Sequence, residues 1–139
     1  MIRFEHINIV VQDIKKSLLF YQAAFPEWRV RDSGQGEWSG KARNWCHFGN
    51  DTIYLALADN AETAPRELAG HQAGLAHFAF EVNNLKAVTA RLEIAGFNPH
   101  VRGPENPFRA NIYFLDPDGL EIEFVEYLSD LTCERNSTV

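Results

Sequence analysis

The chain has two cysteines, one methionine and no clustering of its thirteen basic residues, and its formal net charge is −6. So few cysteines cannot supply a disulfide framework; Cys46 falls in an apolar strand position, where it reads as inert packing, and Cys133 falls near the end. Without a basic patch, a nucleic acid or an anionic membrane is disfavoured as a partner. No apolar run approaches membrane length, and no positive stretch followed by an apolar one marks a leader, so a soluble cytoplasmic protein is expected. What is present in quantity is apolar surface: 45% of the 139 residues are hydrophobic, enough for one sizeable core.

The apolar residues alternate. In His6-Ile7-Asn8-Ile9-Val10-Val11 and again in His77-Phe78-Ala79-Phe80-Glu81-Val82, one face carries the histidine and the other carries the aliphatic or aromatic residues. Leu120 to Tyr127 alternates too, with Ile122 and Phe124 on the apolar side and Glu121, Glu123, Val125 and Tyr127 opposite. Glu123 thus shares the kind of face that His6 and His77 occupy. A strand histidine is ordinarily a satisfied polar residue and a strand glutamate a solvated one. Together, however, two imidazoles and one carboxylate form a facial set that leaves positions open on a divalent ion, a pattern that suits Fe(II), Mn(II) or catalytic zinc better than a closed structural site.

The histidines also occupy matching places in a duplication. Laying His6 on His77 brings Val11 onto Val82, Lys15 onto Lys86 and Ala24 onto Ala95. Each copy reads as strand, turn, amphipathic helix and three further strands. The first copy has a strand at 3–11 and a helix at 13–25 with Ile14, Leu18, Tyr21 and Phe25 at helical spacing; Leu85, Val88, Leu92 and Ile94 form the second stripe. The later strands are expected at 27–32, 41–48 and 52–57, then at 98–102, 109–115 and 120–127. Asp116-Pro117-Asp118-Gly119 predicts a tight turn that sets the register of Glu123. Residues 33–40 and 103–107, rich in glycine, proline and polar residues, are expected to be mobile connections able to act as lids. The expected organisation is a single domain over 1–127, with module one at 1–58, a linker at 59–73 and module two at 74–127, followed by a polar tail at 128–139 that frays.

With these pieces in place, the chain resembles the vicinal oxygen chelate superfamily, the glyoxalase, bleomycin resistance and extradiol dioxygenase group. The most specific matches are the His-x-x-x-x-Val start followed by a helix with Phe20-Tyr21, the His77 start of the second copy, and Tyr-Phe-Leu-Asp-Pro-Asp-Gly-x-x-Ile-Glu-Phe at 113–124. The resemblance implies an α+β fold of two tandem βαβββ modules forming a curled mixed sheet. It also implies one divalent metal per site (Fe, Mn, Zn or Ni) held by His6, His77 and Glu123, and a small substrate that chelates it through vicinal oxygens. Glyoxalase-like members add a fourth protein ligand on the last strand of the first copy; aligning Ile53-Tyr54-Leu55 with Ile122-Glu123-Phe124 places Tyr54 there, a poor ligand.

The three-ligand set resembles extradiol dioxygenases and thiol transferases that inactivate fosfomycin, both of which tend to carry a tyrosine ten residues before the ligand glutamate, here Tyr113. The fosfomycin reading is demoted, because the expected cationic loop is Gly103-Pro-Glu-Asn-Pro107 and the expected threonine is Asn8. His47 matches the acid/base histidine of the dioxygenases, and an imidazole titrates where such transfer needs it. Tyr113 and His47 are therefore the expected catalytic residues. Asn8, Trp45, Tyr54, Phe108 and Arg109 are the expected substrate contacts, with Trp38 and Arg43 in reserve. A dioxygenase or a lyase/isomerase follows from the intact triad; the alternative is a metal-free drug-binding protein resembling the bleomycin resistance proteins. An open sheet face needs cover, and the resemblance implies that a second subunit supplies it, so a homodimer is expected.

Overall fold

The computed structural model describes residues 1–138. They form two compact units, Met1–Ala64 and Pro65 onward, and each is a βαβββ arrangement. The tandem α+β architecture is therefore present, with the strands divided into two four-stranded mixed sheets. No helix among the described residues is long and apolar enough to cross a membrane.

The first unit runs β1 (His6–Val10), α1 (Ile14–Ala24), β2 (Arg29–Trp38), β3 (Lys41–Gly49) and β4 (Tyr54–Ala58), in the order β1-β4-β3-β2 with β1 parallel to β4. Helix α1 begins where it does because the Asp13 carboxylate accepts the backbone N–H groups of Lys15 and Lys16, at 2.8 and 3.1 Å, a cap worth about 1 kcal/mol. Its buried face is Ser17, Phe20, Tyr21 and Ala24. This is a strict helical stripe rotated from the expected one, so Ile14, Leu18 and Phe25 end up as half-buried flanks. Val11, Phe20, Tyr21, Phe48, Leu55 and Leu57 are at most 1% exposed and form the core of this unit.

Residues 33–38 are not a mobile connection. They continue β2, pairing with β3 out to Trp38 opposite Lys41, and only Ser39 and Gly40 turn the chain, both with positive φ as a tight hairpin needs. Glycine and polar composition misled here because hairpin pairing satisfies the backbone whatever the side chains. No lid is built from this segment.

The second unit runs β5 (Phe78–Glu81), α2 (Leu85–Ile94), β6 (Val101–Arg102), β7 (Arg109–Leu115) and β8 (Glu121–Tyr127), in the order β5-β8-β7-β6 with β5 parallel to β8. Asn84 caps α2 from the place in the repeat that Asp13 holds in the first unit, accepting the Ala87 N–H at 2.9 Å. Val88 and Leu92 are buried, and α2 lies on β7 and β8. Ile94, two residues past Leu92 and so on the far side of the helix, is 87% exposed and leaves the expected stripe. Ile112, Phe114, Ile122 and Phe124 are fully buried, with Phe114 edge-on to Phe124 at 6.1 Å. Strand β6 is shorter than expected because Pro99 lacks the N–H that further pairing would use.

The turn before β8 forms as expected: the Asp116 carboxylate accepts the N–H groups of Asp118 and Leu120, both at 2.9 Å, and Gly119 takes φ +87°. The tail is docked rather than frayed. A short helix α3 (Thr132–Arg135) follows β8; Arg135 pairs with Glu81 and lies over the Tyr127 ring at 3.9 Å.

Candidate functional site

In sheet 1 the side chains that alternate away from the core carry most of the sequence-identified groups. Strand β1 contributes His6 and Asn8, β4 contributes Tyr54, and β3 contributes Trp45 and His47. Parallel pairing puts His6 directly opposite Tyr54, and the two rings stack at 4.8 Å and 16°. His47 lies against the same Tyr54 ring at 4.6 Å, and Trp45 against His47 at 5.0 Å. Gly34 faces Trp45 across the hairpin, where an added Cβ would come 2.8 Å from the indole ring. Asn8 is exposed on the same face. Burial pushes the His47 imidazole below its ordinary value, assisted by Arg31 and His6 and opposed by the Asp32 and Glu5 carboxylates, which favours the neutral form that can accept a proton. A cleft of about 770 Å³ opens between the start of α1 and strands β2 and β3; it includes Trp45 but not His6, His47 or Tyr54.

Sheet 2 places the remaining groups. His77 sits one residue ahead of β5, and its Nε2 lies 3.1 Å from Glu123 Oε2 on β8. Both partners have their other polar atom engaged. His77 Nδ1 faces Glu121 Oε1 at 3.6 Å, and Glu123 Oε1 accepts a hydrogen bond from Asn111 Nδ2 at 2.9 Å. His100 Nε2 lies 3.8 Å from the other Glu121 oxygen. Tyr113, opposite Glu123 in the β7–β8 register, is edge-on to His77 at 5.4 Å and accepts from the same Asn111 amide at 3.1 Å. Burial raises the Tyr113 phenol, and the Glu123 charge and hydrogen bond raise it further, which keeps its proton on.

The two sheets share a register, and it corrects one alignment. Ile7 pairs with Leu55 and Phe78 with Ile122, so Leu55 corresponds to Ile122 and the counterpart of Glu123 in sheet 1 is Ala56, not Tyr54. The antiparallel side agrees, since His47 pairs with Ala56 and Tyr113 with Glu123. His47 and Tyr113 are therefore equivalent positions. Periodicity alone left the strand two residues out of register because Ile53 and Leu55 are both apolar.

Among the described residues, no three His, Cys, Asp or Glu side chains are grouped closely enough to hold a metal ion. The donor chemistry nonetheless fits one. His6 Nδ1 is paired with Glu5 Oε2 at 2.8 Å, as His77 Nδ1 is turned to Glu121, so each imidazole directs Nε2 away from that carboxylate, and His77 Nε2 is the atom that meets Glu123. A carboxylate behind a ligating imidazole fixes its orientation and raises its basicity. Of the other sequence-identified residues, Phe108 is half-buried just ahead of β7, and Arg109 Nη1 donates to the carbonyls of Arg135 and Ser137 at 2.9 and 2.8 Å, holding the tail. Sequence reasoning missed Glu5, Asn111, Glu121 and Arg31. Asn111 and Glu121 were within reach, each standing two residues before a named group on the same strand face; Glu5 carries no periodic signal.

A family model described as the Glyoxalase/Bleomycin resistance protein/Dioxygenase superfamily matches residues 3–124. Among solved structures, a glyoxylase/bleomycin resistance protein/dioxygenase domain from Frankia sp. EAN1pec is 20% identical, with 99% of each chain covered and a TM-score of 0.75. A glyoxalase family protein from Enterococcus faecalis is 21% identical, covering 89% of this chain and 97% of its own, with a TM-score of 0.70. The fosfomycin resistance protein FosX from Listeria monocytogenes, complexed with Mn(II) and sulfate ion, is 21% identical over 99% of this chain and 100% of its own, with a TM-score of 0.67. At these identities the likeness is one of fold.

Proposed function

Since the chain belongs to the Glyoxalase/Bleomycin resistance protein/Dioxygenase superfamily, we propose that it is a divalent-metal-dependent enzyme whose small substrate meets the metal through two vicinal oxygens. The ligands in this reading are His6, His77 and Glu123, drawn from one chain or from the two chains of a homodimer. The observation that carries it is the convergence of His77 Nε2 and Glu123 Oε2 to 3.1 Å with the second polar atom of each group already turned to Glu121 and Asn111. Two donors oriented in this way, each backed by another polar group, are what a metal site needs and what a surface ion pair does not. Iron, manganese, zinc or nickel would satisfy the donor set, and the Listeria protein of similar fold is complexed with Mn(II).

A bound metal supplies Lewis acidity to the substrate oxygens. Tyr113 is the hydrogen-bond donor to one of those oxygens, and His47 is the group that receives a proton from substrate. Tyr54, Trp45, Asn8 and Phe108 wall the substrate in this reading, whereas Arg109, expected as a further contact, is tied to the carbonyls of the tail. Ala56 at the sheet 1 counterpart of Glu123 supports a three-ligand site, the kind suited to extradiol ring cleavage or to a lyase or isomerase reaction, over a four-ligand glyoxalase site. A homodimer in the cytoplasm belongs to the same proposal.

Metal content tests it. Protein purified anaerobically without an affinity tag, then reloaded with each of the four ions, is expected to hold about one ion per chain; His6→Ala, His77→Ala and Glu123→Ala each lose it. Full occupancy in the variants would move the site elsewhere. No uptake of any ion would sink the enzyme reading and leave a metal-free small-molecule binder.

A further inference from the structure

Strand β2 carries an irregularity beside the Tyr54 ring. Val30 pairs with Phe48 and Asp32 with His47, the next residue along β3, so Arg31 is an extra residue with no partner in the register. An inserted residue of this kind bends the strand and re-aims its own side chain, and such bulges are kept where a side chain has to reach a particular place. Here the Arg31 guanidinium carbon lies over the Tyr54 ring, 4.7 Å from its centroid, on the ring that His6 and His47 also touch.

Of the neighbouring arginines, one is ion-paired and the other, like Arg31, lies on an aromatic ring. Arg29 is paired with Asp51, and Arg43 lies over the Trp38 ring. Arg31 makes no ion pair within 4 Å among the described residues, although the Asp51 carboxyl feels its charge; its planar, permanently charged fork lies on the phenol ring with N–H donors left for an anion. In a chain of net charge −6, no long-range field draws anions in, and this guanidinium is the local positive charge next to a proposed metal ligand.

We infer that Arg31 recognises a carboxylate on the substrate, and that the substrate is a planar, unsaturated or aromatic carboxylate bearing the vicinal oxygens. The inference deepens the proposed function and rests on it for the location of the substrate. The tilted rings of His47 and Trp45 provide aromatic contact beside Tyr54, whose own ring is stacked on His6 and lies under Arg31, and the Arg31 fork donates to both carboxylate oxygens. Arg31 is exposed; what sets it apart from other surface arginines is the bulge, which takes it out of the ladder and places it on the Tyr54 ring.

The test uses two isosteric probes that lack vicinal oxygens, benzoate and benzamide, titrated calorimetrically into the full-length protein before and after treatment with a chelator, since a carboxylate can itself ligate a divalent ion. Benzoate is expected to bind about five- to tenfold more tightly. Arg31→Gln removes the difference, and Arg31→Lys retains part of it; circular dichroism checks that both variants fold. Equal binding of the two probes to the unaltered protein, failure of benzoate to bind included, overturns the inference, as does a preference that survives Arg31→Gln. Because these titrations need no metal, they fail independently of the ligand assignment, which the metal content of the same samples reads. With metal loaded, 3,4-dihydroxybenzoate is expected to bind more tightly than catechol, and Arg31→Gln brings the two together while leaving metal content unchanged.

Discussion

Replacing Asn111 by alanine tests whether Glu123 is held ready for a metal. The Asn111 amide donates to Glu123 Oε1 at 2.9 Å and to the Tyr113 hydroxyl at 3.1 Å, and the Glu123 side chain is only 14% exposed. A hydrogen bond to a charged, largely buried acceptor contributes about 1.5–3 kcal/mol, or about 10- to 150-fold in an equilibrium constant. The loss should fall mainly on metal affinity, because a freed carboxylate must be re-ordered each time an ion binds. The dissociation constant for Mn(II) or Zn(II), measured by competition with a chelating dye, is therefore expected to rise about 10- to 100-fold in Asn111→Ala, with a smaller fall in the urea midpoint. Gly103→Ala reaches the same group from outside: its Cβ would come 1.7 Å from Asn111 Oδ1, so the amide has to move. If both variants fold and bind metal as tightly as the unaltered protein, the reasoning that Asn111 prepares Glu123 as a ligand is wrong.

Three further outcomes follow from the packing and charges. Gly49→Ala puts a Cβ 2.2 Å from the Ile53 carbonyl oxygen and 2.5 Å from the Tyr54 Cα, backbone that cannot retreat, and should cost about 1–3 kcal/mol in urea unfolding; an unchanged midpoint would show that the β3–β4 corner is looser than described. Cys133 is exposed and should react at once with a disulfide reagent, whereas Cys46, 3% exposed with its thiol pushed up by burial, should react only in denaturant; two fast thiols in the native protein would contradict this. Hydrogen bonds from the Asn44 side chain, then its backbone N–H, hold the Asp59 carboxyl below its usual value. A depressed folded-state value adds stability above the unfolded-state one and loses it as pH falls through the folded one. Asp59→Asn should thus flatten the acid limb of stability below the ordinary aspartate range, by under about 1 kcal/mol at this solvent-exposed pair; identical limbs in both proteins would remove Asp59 from the account.

Hydrophobic alternation and the internal duplication were enough to read the tandem βαβββ order, the helices after Asp13 and Asn84, the turn at Asp116 to Gly119 and the strand faces carrying His6, His77 and Glu123, because each rests on local periodicity or local capping. The register of the first sheet was not legible. The placing of Ala56 rather than Tyr54 opposite the role of Glu123 is a matter of which hydrogen bonds form across strands, and two apolar neighbours make the sequence indifferent to a shift of two residues. The hairpin through residues 33–38 and the docked tail were hidden for a similar reason: polar composition reads as loop until a partner strand or the Glu81 carboxylate supplies the missing bonds.

The same division holds at the site. Residue type and alternation determined which groups face away from the core, since a period of two fixes the side of the sheet regardless of fold. Only tertiary structure decided that Glu121 stands behind His77, that Asn111 restrains Glu123, and that a bulge sends Arg31 across Tyr54. The first and last of those contacts join segments separated by other elements, and the Asn111 contact depends on side-chain rotamers across the β7–β8 hairpin; residue type and alternation encode none of the three.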